Sequence, residues 1–366
     1  MCCLFLSIAV RSILLCYVVS MNNLLESPVE LLSLQEAPED RSIIFEPSCF
    51  DEYLGQKEIK AKLKVFVQAC KMRSEHLDHM LLFGPPGLGK TTLAKIMAKE
   101  LGVSFRITSA PIIERTGDLV AILSSISHRE ILFIDEIHRL PKNVEEILYS
   151  AMENFCVDVI IGQGAGAKSI RLPLNPFTLI GATTKTSLIS GPLQTRFGIV
   201  ERLDFYAADE LAQIVLQNSQ FMGLPILPEA ALIIGKRARG TPRIVKRIVR
   251  RIRDFAQVNQ YTVVDVHVVE LALNFLGIDE DGLNKLDRAL LTHILKDFNG
   301  GPVGLETLAA MTGEDKETIE EFCEPFLLRL GLLQKVSRGR QIPHQKISLL
   351  RKKLLGASVV EQAVLF

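Results

Sequence analysis

Residues 80–91 read Met-Leu-Leu-Phe-Gly-Pro-Pro-Gly-Leu-Gly-Lys-Thr, and the way the chemistry changes along them decides the fold. Met80–Phe83 is a short apolar run of buried-strand length, and after Lys90 the segment from Thr91 to Ala98 has helical spacing. Between the two, Gly84–Thr91 fits G-x-x-x-x-G-K-[ST] without a mismatch. Glycines 84, 87 and 89 let backbone N–H groups turn inward onto phosphate oxygens, at a helix N-terminus of partial positive charge. Lys90 can then reach the β and γ phosphates, and Thr91 can hold a magnesium ion. A Gly/Pro loop can be plain punctuation, but Gly-Lys-Thr with both flanks correct weighs against that. The stretch predicts a bound nucleoside triphosphate.

Working outward, the apolar run Ile131–Ile134 reads as a strand buried on both faces, and Phe177–Thr184 as another. Further elements are a helix over roughly 57–73, a strand over 103–108 and a helix near 118–127. This alternation predicts an α/β domain over 46–206, with a parallel sheet and the nucleotide at its carboxyl edge. After 206 the strands vanish, and 207–277 reads as an all-α lid broken at Gly223-Leu224-Pro225 and Gly240-Thr241-Pro242. Residues 283–350 give helices near 285–298, 304–311 and 315–329, then two short strands around Ser337-Arg338-Gly339, the pattern of a winged helix. Residues 351–366 form a tail of no assigned role.

The 366 residues leave room for two or three domains. With 42 basic and 42 acidic residues, a nucleic-acid partner would have to be met by local patches. Seven cysteines without a C-x-x-C pair read as reduced thiols of a cytosolic protein, neither disulfides nor zinc ligands. Met1–Ser20 is apolar, but Arg11 cuts it into runs too short to span a bilayer, and nothing basic precedes them. The preferred reading starts the protein at Met21, with 21–45 a loose arm; a membrane anchor is the alternative.

Asp135 and Glu136 end the Ile131 strand, placed to hold magnesium through water and to polarise an attacking water. Thr183 and Thr184 end the next strand, where a hydroxyl could hold that water or read the γ phosphate; capping is the plainer role. Arg196, near Gly198 and without an acidic neighbour in the chain, could project across a subunit boundary, though from the residues alone a solvated loop arginine is the plainer reading. Thr241 caps a helix that Pro242 opens, which puts Arg243 at its start as a nucleotide sensor. Along that helix Ile244, Ile248, Ile252 and Phe255 read as the core stripe, with Arg247, Arg250, Arg251 and Arg253 as a mostly solvated face. Residues 156–174 read as an inserted hairpin whose apolar side chains, Val159, Ile161 and Ile170 among them, either pack on the core or form a docking surface. The second helix of the winged unit is acidic, so DNA contact is expected from the wing residues Lys335, Arg338 and Arg340, without sequence reading.

Taken together, Leu82–Thr92, Phe133–Leu140, Gly181–Thr184, Arg196–Val200, Arg237–Arg243, Gly300–Leu305 and Arg338–Arg340 resemble the bacterial RuvB family, the ATPase motor of Holliday-junction branch migration. The similarity runs from about Asp51 to Pro343. It implies an AAA+ core hydrolysing ATP with Mg2+ as a homo-hexameric ring on duplex DNA, in recombination and repair, in the cytoplasm and not in a membrane. It implies Gly87, Gly89, Lys90, Thr91 and Thr92 as phosphate contacts, Thr183 as first sensor, Arg243 as second sensor and Arg196 as a finger serving the neighbouring subunit. Phe45, Glu46, Tyr206 and the stretch Glu153-Asn154-Phe155 match nucleotide-contacting positions. Lys335, Arg340 and Lys316 fall where the family contacts DNA. The hairpin matches the docking element for the junction-binding protein RuvA, and a junction resolvase is a further implied partner. The chain departs from the family pattern at Glu46, where a basic residue is usual, and at Ala110, Asn154 and Gln194. The other functions considered are a clamp-loader-type switch, which would carry a helical collar in place of the wing, and a membrane-tethered scaffold resting on residues 1–20.

Overall fold

The computed structural model describes residues 44–161 and 168–356, with the backbone alone for 160, 161 and 168. The apolar extension 1–20, most of the arm, the glycine-rich hairpin turn, the Ile161 side chain and the tail from 357 lie outside the described residues. Two compact units result, one of residues 44–253 with Thr262–Asp265, the other of Asp254–Tyr261 with 266–356.

In the first unit the chain runs α1 (Lys57–Arg73), β1 (Met80–Phe83), α2 (Lys90–Leu101), β2 (Phe105–Ser109), α3 (Thr116–Ser124), β3 (Ile131–Asp135), α4 (Lys142–Asn154). There follow the hairpin β4 (Cys156–Ile161) and β5 (Lys168–Pro173), then β6 (Thr178–Thr183), α5 (Gly191–Gln194) and β7 (Ile199–Arg202). The five-stranded sheet has the order β2-β3-β6-β1-β7, every pair parallel. Its three middle strands, β3, β6 and β1, are almost wholly buried, which is why their sequences are continuous apolar runs without alternation. Under the sheet, Leu132, Ile134 and Leu179 pack with Leu148 and Ala151 of α4 and with Phe197.

The strand expected from Val103 starts at Phe105 instead. Gly102 takes a left-handed φ of 68° and closes α2, and the Val103 N–H turns back to the Ala98 carbonyl at 3.1 Å. The helix expected to reach 127 ends at Ser124, because the Ser125 and Ile126 N–H groups bond back to Ile122 and Leu123.

Helices α6 (Ala208–Phe221), α7 (Pro228–Arg237) and most of α8 (Pro242–Val258) complete this unit. The buried stripe of α8 is Val245, Ile248, Val249 and Ile252, while Ile244 and Phe255 are half-buried. Arg247 and Arg250 are 8% and 7% exposed, so they do not form a solvated face. A helix covered on several sides buries the long stems of its arginines along with its apolar residues.

The second unit holds α9 (Val266–Phe275) and a winged helix. Its order is α10 (Lys285–Lys296), α11 (Leu305–Thr312), α12 (Lys316–Thr318), a π turn (Ile319–Cys323), α13 (Glu324–Arg329), β8 (Gln334–Val336), β9 (Gly339–Gln341) and α14 (His344–Leu355). Asn284 and Asp287 exchange backbone bonds in a capping box that starts α10. The single helix expected over 315–329 is split because Pro325 has no N–H to give the Glu321 carbonyl, and the ladder widens just before it. Leu354 and Leu355, which the sequence reading left in the tail, continue α14 and pack on the core of Leu290, Ile294, Ile319 and Leu327.

Candidate functional site

The phosphate loop joins β1 to α2 at the carboxyl edge of the sheet. Gly84 has φ 139°, and a Cβ there would lie 2.3 Å from the Leu203 carbonyl oxygen, so no other residue fits. α2 begins directly after Gly89, which points its orphan N–H groups at the loop. Lys90 is 8% exposed and donates to the Gly84 and Pro85 carbonyls at 2.7 and 3.0 Å. Burial pulls its pKa down to about 8, with Asp135 opposing the shift and Arg243 adding to it. A desolvated ammonium beside inward-turned N–H groups fits an anion such as a polyphosphate.

Arg243 closes on the same loop from α8. Its N–H donates to the Gly87 carbonyl at 3.3 Å, and a Cβ on Gly87 (φ 78°) would come within 3.0 Å of the Arg243 Cβ. Across the loop, Asp135 ends β3 and its Oδ1 accepts from the Glu136 N–H at 3.0 Å. Glu136 has a left-handed φ of 50°, a conformation costly for a residue with a side chain, and its Oε2 accepts from Arg139 at 3.0 Å. Asp135, which acts on Lys90, and Glu136, held by Arg139, therefore stand together at the carboxyl end of β3.

Thr183 needs a correction. It is 1% exposed, and its hydroxyl meets His138 Nδ1 at 3.0 Å and accepts from the Lys185 N–H at 3.0 Å. That hydroxyl holds the turn after β3 to the end of β6 and is not presented to the loop. The next residue, Thr184, is half-buried.

Beside the loop lies a cleft of about 390 Å³ lined by Phe45, Pro47, Tyr53, Thr92, Tyr206 and Pro242, among others. The Tyr206 and Tyr53 hydroxyls lie 3.0 Å apart, and the Leu88 carbonyl is within reach of both, at 3.2 and 3.4 Å. Burial pushes the Tyr206 phenol up to about 12 and Tyr53 well above its ordinary value, so both remain protonated donors at neutral pH. Glu46 takes no part in the lining; its carboxylate lies 3.3 Å from Lys95 of α2. The acid at the usually basic position is thus matched by a nearby lysine.

The remaining expected nucleotide contacts sit at the other edge of the sheet. β7 runs parallel to β1 with Ile199 opposite Met80, so the chain enters β7 at the amino edge. Arg196, just before it, is separated from the loop's edge by the length of β1, about 13 Å at roughly 3.3 Å per residue. There its Nη1 donates to the Pro192 carbonyl at 2.6 Å, its Nε lies 3.1 Å from Glu153, and its guanidinium stacks 4.4 Å from the Tyr149 ring centre. The chain neighbours of Arg196 carry no acid, but α4 brings Glu153 to it. Phe155 packs among His76, His79 and Phe177 at the same edge. His79 accepts the Leu179 N–H at Nδ1 (2.9 Å), so its Nε2 carries the proton donated to the Met152 carbonyl (3.0 Å), and burial holds its pKa down.

In the winged helix the expected basic wing is largely neutralised. Arg340 Nε and Lys335 Nζ each lie 2.6 Å from the carboxylate of Glu324, whose side chain is 1% exposed, and both approach Glu320 at 3.7 Å. Lys316 pairs with Glu306. Arg338 is exposed and has no ion-pair partner among the described residues. In the inserted hairpin the two alternatives divide between its strands: on β4 Val157 is buried and Val159 packs on the core, while Ile170 of β5, opposite Val159, is 44% exposed.

The sequence reading assigned no role to Tyr53, His138, Arg139 or Tyr149. His138 and Arg139 stood inside the quoted stretch Phe133–Leu140, directly after Asp135 and Glu136, which was the available signal; Tyr53 lies well before the phosphate loop in the chain and gave none. Tyr149 gave none, because its contact with Arg196 depends on a fold that returns Arg196 to α4. Among the described residues no helix is long and apolar enough to cross a membrane.

Three family models match the chain in succession: the P-loop domain of Holliday junction DNA helicase RuvB over residues 45–203, the RuvB AAA lid domain over 206–279 and the RuvB C-terminal winged-helix domain over 280–351. Among solved structures, the Holliday junction branch migration motor RuvB of Thermotoga maritima is 44% identical, covers 84% of this chain and 98% of its own, and superposes with a TM-score of 0.75. Two mutants of that protein, also 44% identical over 84% of this chain and 99% or 98% of their own, give a TM-score of 0.77.

Proposed function

The chain belongs to the RuvB family of Holliday-junction branch-migration motors, and from that premise we propose that it hydrolyses ATP with Mg2+ as a ring of identical subunits and uses the reaction to move junction DNA. The observation that carries the proposal is the division of the site between the two edges of one sheet. Lys90, Thr91, Asp135, Glu136 and Arg243 gather at the carboxyl edge, while Arg196 is held at the amino edge. An arginine a strand's length from its own phosphate loop can serve a phosphate only on a neighbour. Subunits joined head to tail by such a contact close into a ring when the rotation between neighbours closes.

Bound MgATP would supply the phosphoanhydride to be cleaved and the metal charge that offsets its anions. In this reading Lys90 and the α2 N-terminus bind the phosphates, Thr91 and Asp135 hold the metal, and Glu136 orients water after leaving Arg139. Thr183 acts at one remove by fixing the His138 turn, and Thr184 offers the hydroxyl nearer the reacting phosphate. The cleft of Phe45, Tyr53 and Tyr206 takes the base. Glu153, Asn154 and Phe155 face the neighbour's nucleotide along with Arg196. The winged helix meets the charged backbone of duplex DNA, Arg338 foremost, and the exposed Ile170 side chain of the hairpin belongs to the surface that docks a RuvA-type protein. Recombination, repair and a cytoplasmic setting with a junction resolvase follow from that role. A clamp-loader-type switch would have a helical collar where β8 and β9 lie.

The experiment is branch migration of a synthetic four-way junction, with a RuvA-type protein present. ATP-dependent strand exchange by the natural chain, lost in Glu136→Gln while nucleotide binding remains, supports the proposal. Migration unaffected by that substitution, or none from the natural chain, contradicts it.

A further inference from the structure

The surroundings of Arg196 are built, not incidental. The Tyr149 hydroxyl on α4 lies 3.0 Å from both Glu145 Oε1 and the Ser190 hydroxyl and gives its one proton to either of these acceptors. Ser190 itself bonds Glu145, whose residue is 8% exposed, and Ser190 caps α5 by accepting from the Leu193 N–H. α5 is the short helix whose Pro192 carbonyl accepts from Arg196. The ring of Tyr149 is thereby fixed at both its hydroxyl and its core side, with the guanidinium lying 4.4 Å from its centre. A flexible arginine on a surface loop would sample many rotamers; here one face of its guanidinium is covered by an anchored aromatic ring.

We propose that Tyr149, anchored by Glu145 and Ser190, is a positioning residue that sets the reach of Arg196 toward the neighbouring subunit's nucleotide. This rests on the reading of Arg196 as a group acting in trans. Tyr149 touches no substrate. It restricts the arginine before the neighbour docks, so that less freedom is lost when the shared site closes. The carboxylate of Glu145 matters only through the tyrosine hydroxyl and the α5 cap.

The test uses full-length chains and steady-state ATP hydrolysis. Tyr149→Leu removes the platform and should lower kcat about tenfold with KM little changed. Tyr149→Phe keeps the ring and loses its bonds, and should lower kcat only about twofold to threefold. In an Arg196→Ala background Tyr149→Leu should add nothing. Mixtures place the effect: Glu136→Gln chains donate the arginine and Arg196→Ala chains donate the acid. Tyr149→Leu added to the arginine donor should reduce the recovered activity, and added to the acid donor should leave it. An equal loss in both positions, an additive loss on top of Arg196→Ala, or Tyr149→Phe as impaired as Tyr149→Leu would overturn the proposal. If Arg196→Ala alone has no effect, the trans reading fails instead, which is a separate result. Thermal melts of each variant identify a loss caused by unfolding, and in that case the Phe variant decides.

Discussion

The two edges of the central sheet hold opposite kinds of sites. At the carboxyl edge, the functional groups are fixed by the backbone: glycines that admit no Cβ, a helix N-terminus, and acids at the ends of buried strands. At the amino edge, Arg196 is fixed by side chains, a tyrosine ring and Glu153 brought by another helix. The first edge is complete as a phosphate-binding site within one chain. The second has a cation with nothing of its own to act upon. The difference supports the proposal that the reaction takes place at a boundary between subunits, where one edge would meet the other.

The largest effect expected on that comparison comes from Glu136. Glu136→Gln should lower kcat by about 10²–10³-fold while nucleotide affinity stays close to wild type, since water activation is lost and the phosphate cradle is not. A filter-binding titration beside a turnover assay checks both halves, and turnover near wild type would remove Glu136 from the chemistry. Arg196→Ala should lower turnover of the assembled protein by about 10² and leave the slow hydrolysis of dilute, dissociated chains unchanged. A loss seen equally in dissociated chains would place Arg196 in its own subunit's site and break the comparison.

The carboxyl edge also has a pH signature. Lys90 has a folded pKa of about 8, below its ordinary value, so its charged form costs stability at neutral pH and that cost fades as pH rises through 8 toward 10.5. A polyphosphate favours the charged form. Nucleotide binding should therefore take up a proton just above pH 8, and affinity should fall as pH rises through that range. Calorimetry at pH 8.5 in two buffers of different ionisation enthalpy reads the uptake directly, and zero uptake would mean that Lys90 is not desolvated as described.

The smallest effects belong to the winged helix, where Arg340 and Lys335 are paired with the buried Glu324. Arg340→Ala should cost about 2 kcal/mol of stability, because it leaves the buried Glu324 short of a partner. Arg338→Ala should leave the melting temperature unchanged and lower DNA affinity a fewfold for every sequence alike, with a shallower salt dependence. The reverse assignment, Arg340 governing affinity and Arg338 governing stability, would contradict the picture of a wing held by its own acids.

What the sequence disclosed follows the same division. The sheet, the phosphate loop, Asp135 and Glu136 were legible because each is encoded locally, as an apolar run or as spacing within one turn of chain. Arg196 was visible but its setting was not: Glu153 and Tyr149 lie on a different helix, and only the fold of α4 against the start of β7 brings them together. Thr183 misled for a related reason. A strand-end hydroxyl looks free in a sequence, while His138 and the Lys185 N–H engage it in the fold. In the wing, Lys335 and Arg340 were legible as basic residues, but Glu324 beneath them was not, because only the fold brings that acid from α13 to the two strands. The buried face of α8 was misplaced because an arginine's charge says nothing about where its stem packs.

The central claim is that each working site takes its acid from one chain and its arginine from the next. Mixing Glu136→Gln chains with Arg196→Ala chains tests it most directly, since either variant alone lacks one half of every site. In a random one-to-one mixture about a quarter of the interfaces unite an intact acid with an intact arginine. The account predicts that ATP hydrolysis returns to that order relative to wild type when two inactive preparations are combined. A mixture as inactive as its components, with ring assembly intact, would contradict it.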